Sequence, residues 1–233
     1  DNQFVFLAWF TYTTDDSEFP NEQHWLTAEG FYTGNEAEMI LYESSGGQFD
    51  DPSEVTTLPV GSVTLSFSDC INGTLSYAFD DRDLSGSFPI TRAIPGSENA
   101  CQELAGEPAI EAIQINSGMD GAWYDPETSG QGFLMDAYPG GEFMFVAWFT
   151  YGDQNATGLR WLTGEGSIVG TQGALTIYNT TGGSFDDGKL PTWEDVGTMN
   201  IEFSDCSTAT IEYSIPGEEL EGTIDVIRAV PGS

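Results

Sequence analysis

Two acidic patterns and one pair of arginines hold the residues that could do chemistry. Trp-Leu-Thr-x-Glu-Gly occurs twice, carrying Trp25 with Glu29 and Trp161 with Glu165. Positions four apart in a strand share a face, so each Glu stands on the side of its Trp. A carboxylate inside a barrel needs a partner. A guanidinium would make the pair structural, and a second acid would make it glycosidase-like. Each pattern offers one Glu and no matched second acid, so the structural pair is favoured and catalysis is not expected. Gly-Gly-x-Phe-Asp-Asp also occurs twice, ending in Asp50-Asp51 and Asp186-Asp187. Adjacent carboxylates on a Gly-rich loop can hold calcium together with loop carbonyls. No complete calcium loop surrounds them, so a solvated turn is favoured and calcium is the one cofactor left open. His24 is the single histidine and is replaced by Arg160 in the second pattern. That leaves neither a histidine zinc site nor a Ser–His triad.

Against 38 Asp and Glu there are five basic residues, giving a net charge of −33. A duplex or an anionic membrane surface would repel such a chain, and phosphate neutralisation has almost no cations to draw on. Nucleic acid is therefore excluded as a partner. No apolar run reaches the ~18 residues of a bilayer span, so membrane insertion is not expected. The acids are interspersed among Val, Ile, Phe, Trp and Tyr, which argues for folded barrels rather than disorder. The chain opens at Asp1 without a signal-peptide pattern, as a mature product or an excised part would.

The elements that position these residues are duplicated. FVFLAWFTY at 4–12 matches FMFVAWFTY at 143–151 with an offset of 139. HWLTAEG, ILYESSGGQFDD, FSDC and TRAIPGS then recur in order, settling at an offset of 136. Each copy reads as strands rich in β-branched and aromatic residues, punctuated by Gly, Asn, Asp and Pro. The second copy gives eight, at 121–125, 131–138, 142–151, 159–167, 173–180, 198–204, 208–214 and 221–229. Short links favour an antiparallel meander, and eight strands suffice to close a barrel. The expected fold is all-β, with two eight-stranded meander barrels in tandem. The first, residues 1–97, lacks its first two strands; residues 98–118 form an acidic linker in which 109–115 could add a strand; the second barrel spans 119–233.

Both faces of the strand at 4–12 are apolar. Phe4, Phe6, Ala8, Phe10 and Tyr12 line one side, and Val5, Leu7, Trp9 and Thr11 the other. A barrel wall facing water alternates, so this strand is expected to be covered outside as well, by the other repeat or another chain. Phe4, Phe6 and Trp9 are thus candidate interface residues. Of three cysteines, Cys70 and Cys206 are equivalent and Cys101 follows the last strand of the first copy. A Cys70–Cys101 disulfide is expected, which places the protein outside the reducing cytosol. The counterpart of Cys101 for Cys206 would fall beyond Ser233, as in a longer array or a polymer.

Gly121-Ala122-Trp123 on the first strand, with Arg228 on the last, resembles the calycin group of barrels, which includes lipocalins and avidin-like proteins. Gly-x-Trp-Tyr-x-Pro with Ser-Gly-Gln-Gly-Phe, then Trp-Phe-Thr-Tyr and Trp-Leu-Thr, also resembles a module that recurs in secreted or surface proteins of bacteria. The resemblance implies that Trp123 packs beside Arg228, and that Arg92, equivalent to Arg228, meets a Trp from elsewhere. A guanidinium can stack on that ring and bond strand-end carbonyls. It implies no biotin or lipid specificity, because the polar ligand pattern of avidins is absent. The sequence thus points to a non-catalytic extracellular or cell-surface module, a unit of a filament, appendage or repeat array. Its partners would be other copies of itself or flanking repeats. The alternative is a barrel that binds a glycan or a small apolar ligand, with Trp25, Glu29, Trp161 and Glu165 as the candidate ligand-binding residues.

Overall fold

The computed structural model describes residues 4–69, 71–92, 115, 117–128, 130–138, 142–152, 158–185 and 188–229. The first repeat supplies β1 (Phe4–Tyr12), β2 (Gln23–Thr33), β3 (Glu36–Ser45), β4 (Thr56–Phe67), β5 (Asn72–Phe79) and β6 (Ser85–Thr91). The second supplies β7 (Gly121–Tyr124), β8 (Gly132–Ala137), β9 (Phe143–Tyr151), β10 (Leu159–Val169), β11 (Gln172–Thr181), β12 (Thr192–Phe203), β13 (Thr208–Ile215) and β14 (Leu220–Arg228). Two single turns of 3-10 helix, Ser117–Met119 and Pro216–Glu218, are the only helical elements among the described residues. None is long and apolar enough to cross a membrane.

The second repeat closes. Its eight strands run antiparallel in chain order, and β14 returns to β7 through Ile227 opposite Tyr124 and Arg228 opposite Trp123. Period-two alternation turns Met144, Val146, Trp148, Leu162, Leu175, Ile177, Met199, Ile201, Ile211 and Val226 inward, where they form one packed core. Each such side chain withdrawn from water contributes roughly 1.5–3 kcal/mol.

The first repeat does not close: β1 to β6 form a curled six-stranded sheet in meander order. Its members correspond to β9 to β14, down to a shared irregularity between Leu41 and Tyr42 and between Ile177 and Tyr178. The expected pair of barrels is therefore one barrel and one open sheet, because nothing among the described residues stands where β7 and β8 stand. One expected strand was also too short. The strand expected at 198–204 starts at Thr192, where Thr192, Trp193, Glu194 and Asp195 ladder onto Thr181 to Tyr178 and extend β12. Of the linker, Ile115, Ser117 and Gly118 are described; Ile115 is buried, and its N–H donates to the Gly170 carbonyl at 3.0 Å.

Candidate functional site

The two repeats face each other across the outer sides of β1–β2 and β9–β10, and their contacts come in equivalent pairs. The Trp25 indole N–H donates to the Thr150 carbonyl at 2.9 Å, and the Trp161 indole N–H donates to the Thr11 carbonyl at 3.3 Å. Thr11 and Thr150 are themselves counterparts. Tyr151 packs against Gly47 and Tyr12 against Gly183: a Cβ at either glycine would sit 2.0 or 2.1 Å from a ring carbon. The Gln23 amide adds bonds to the Trp161 and Thr180 carbonyls at 3.1 and 2.8 Å. Trp25, Phe149, Tyr151 and Leu159 form a small core here with Phe6, Ala8, Phe10 and Val55. The second apolar face of β1 is thus covered by the other repeat.

The Gly-Gly-x-Phe-Asp-Asp loops are exchanged between the repeats. Phe49 enters the mouth of the closed barrel, 5.0 Å from Trp148 and 5.8 Å from Tyr213. Phe185 enters the open sheet, 5.4 Å from Trp9 and 5.7 Å from Tyr77. Asp50 is no solvated turn residue: the Tyr213 hydroxyl donates to its carboxylate. Burial pushes both groups above their ordinary pKa, and for Tyr213 the Asp50 carboxylate adds to the rise. Asp51 is exposed, whereas Asp186 and Asp187 lie outside the described residues. Among the described residues no three His, Cys, Asp or Glu side chains converge as a metal site.

Glu29 and Glu165 are not interior carboxylates. Leu26 and Leu162 fix the inner face of β2 and β10, so the Glu residues stand on the outer face with Trp25 and Trp161, and both are exposed. The tryptophans are buried by the partner repeat, not by a barrel interior. Each Glu therefore keeps its solvation, and the expected Arg–Glu interior pair does not form.

At the base of the barrel, Trp123 is fully buried, edge-on to Phe203 at 5.3 Å, and donates its indole N–H to the Met119 carbonyl at 3.0 Å. The Arg228 guanidinium lies 5.6 Å from the Trp123 ring centroid and donates to the carbonyls of Gly118 and Asp120. Asp120 accepts from the Ala137 N–H at 2.7 Å; burial pushes its carboxyl up to about 7, against the pull of that bond and of Arg92 and Arg228. Arg92, the counterpart of Arg228, contributes to that electrostatic pull on Asp120. No Trp packs on Arg92 among the ring contacts of the described residues. Cys70 and Cys101 lie outside the described residues, and Cys206 is an exposed free thiol.

Two further side-chain pairs occupy equivalent places and escaped the sequence. His24 Nε2 lies 3.0 Å from Glu43, whose carboxyl this hydrogen bond holds below the usual range. In the second repeat Arg160 makes a two-pronged bond to Glu218, 2.6 Å on each arm, with the guanidinium buried. The exchange of His24 for Arg160 was visible in the sequence; their acids come from non-equivalent positions and were not. No family model, curated protein or solved structure matches the chain, so the residues themselves carry the functional reading.

Proposed function

We propose that this chain is a non-catalytic structural and assembly module that acts outside the cell. Its open first repeat would be completed by strands from a neighbouring repeat or molecule in a surface filament, appendage or repeat array. The observation that carries this reading is the inequality of two otherwise equivalent halves. One is a closed eight-stranded barrel; the other is a six-stranded sheet whose β1 and β6 edges pair with nothing among the described residues. Open edges recruit strands, and strand addition joins backbone hydrogen bonds to side-chain pockets. A contact of that kind runs head to tail and builds open filaments unless its rotation closes a ring.

The net charge of −33 supports an extracellular setting by keeping the chain soluble, and strand pairing has to outweigh the like-charge repulsion between copies. The Trp123–Arg228 contact supports the calycin-like reading of the closed repeat. The ligand-binding alternative gains nothing from the barrel interior, which is filled by its own side chains and by Phe49. An enzyme gains nothing from Glu29 and Glu165, which are both exposed.

Analytical ultracentrifugation over a wide concentration range, with electron microscopy of the same samples, tests the proposal. Concentration-dependent oligomers or filaments are expected. A single species of 25.2 kDa at every concentration would overturn it.

A further inference from the structure

We infer that the base of the first repeat is a docking slot for a β-hairpin carrying Gly-x-Trp, supplied by a neighbouring repeat of the kind that residues 115–138 form in the second. This rests on the assembly reading and names what the open sheet would accept.

The closed repeat is the template. There Trp123 covers Phe203, which is 2% exposed; the counterpart of Phe203 is Phe67, which is 44% exposed. Ile168 is buried beside the same base, whereas its counterpart Tyr32 is 38% exposed. Around Phe67 lies a groove of about 590 Å³ lined by Asn35, Ile71, Ile90, Thr91 and Arg92. The space that Trp123 and Met119 fill in one repeat is a surface groove in the other. The sheet edge agrees: Val5 to Phe10 of β1 are half-buried throughout, whereas five of the six counterparts, Met144 to Phe149, are buried. In the barrel those residues pair with β8, which also stacks Phe133 on Trp148 at 5.2 Å.

A second observation comes from the opposite end of the same hairpin. The turn after β7 lies on the first repeat, where Thr57 lines a cavity with Ala122, Tyr124, Gly130 and Gln131. The counterpart of Thr57 is Trp193, which is 72% exposed. It stands with Thr163, Glu165, Tyr178 and Thr180 around a surface depression of about 370 Å³. An indole on open water at that place is what a mirrored hairpin turn would cover. One hairpin therefore accounts for two apolar exposures on different repeats, Phe67 at its base and Trp193 under its turn. Backbone pairing would supply affinity and the Trp slot specificity.

The test titrates the full chain with a synthetic peptide of residues 115–138. Saturable one-to-one binding is expected, with hydrogen-exchange protection appearing on β1 and β6. Phe67→Asp in the chain and Trp123→Ala in the peptide should each weaken binding by about tenfold or more, and Trp193→Ala by a few-fold. Both chain positions are exposed, so neither variant endangers folding. Absence of saturable binding, or binding indifferent to Phe67→Asp and to Trp123→Ala in the peptide, overturns the slot. Oligomers without peptide binding would sink the slot and spare the assembly reading. Peptide binding by a chain that never self-associates would do the reverse.

Discussion

Phe49 of the first repeat lies 5.0 Å from Trp148 inside the second, and the equivalent pair, Phe185 on Trp9, runs the other way at 5.4 Å. Each half thus completes the other's core with one aromatic side chain. The relation between the halves is that of a two-fold dimer, written in a single polypeptide.

Phe49→Ala should lower stability by about 2 kcal/mol, below the roughly 3–5 kcal/mol of a fully buried ring because this one is only partly buried. Phe185→Ala should cost a similar amount through the other half. Urea denaturation measures both, and a change within 0.5 kcal/mol, ordinary for a surface site, would mean the exchanged loops do not hold the halves together.

Gly47→Ala should cost about 1–3 kcal/mol, because the new methyl would collide with the Tyr151 ring. In a Tyr151→Ala background the same change should cost far less, since the obstacle is gone. Thermal melts of the four proteins of this double-mutant cycle give the coupling, and additive effects would contradict the ring-on-glycine contact.

Arg160→Ala leaves the partly exposed Glu218 without its two-pronged partner and should destabilise by about 1.5–3 kcal/mol. Arg160→Lys should recover only part of this, because an ammonium cannot grip both carboxylate oxygens at once. Equal stability of the Lys variant and the native chain would show that charge alone matters there.

Asp120 gives the chain a definite pH response. Its folded-state carboxyl titrates at about 7, well above the usual value of 3.8, so the folded state binds the proton more tightly. Stability from this group is full below about pH 4, falls as pH rises, and is gone above about 7; the ceiling is ~4 kcal/mol. Asp120→Asn keeps an oxygen for the Ala137 N–H and removes the titration. The variant should be the more stable protein at pH 8, with the gap vanishing at pH 4, as denaturation curves at the two pH values would show.

The strands were legible because Gly, Asn, Asp and Pro punctuate runs whose alternation repeats 136 residues later. That β1 is covered on both sides was legible too, since Phe6 and Trp9 point in opposite directions. The parity of β2 was not. Trp25 and Leu26 are adjacent and equally apolar, so either could mark the inside, and choosing Trp25 put Glu29 into the barrel on paper. Leu26 is the inner residue, and the Trp is buried by a surface more than 100 residues away.

The role of Phe49 was hidden for a related reason. In Gly-Gly-x-Phe-Asp-Asp the glycines and acids describe a turn, and nothing local says that the ring between them fills another repeat's mouth. Asp50 was weighed as a calcium ligand because its partner, the Tyr213 hydroxyl, is 163 positions distant. Sequence exposes local grammar; these contacts are set by which faces meet.

Joining the two halves in one chain gives their mutual contact an effective concentration that dilution cannot lower. Both copies of the two-fold face, with Tyr12, Tyr151, Phe49 and Phe185, are therefore spent inside the molecule. A symmetric pair would have no remaining valence. Among the described residues, exposed Phe67 and Trp193 have no equally exposed apolar counterpart on the other half, so the molecule has one front and a direction.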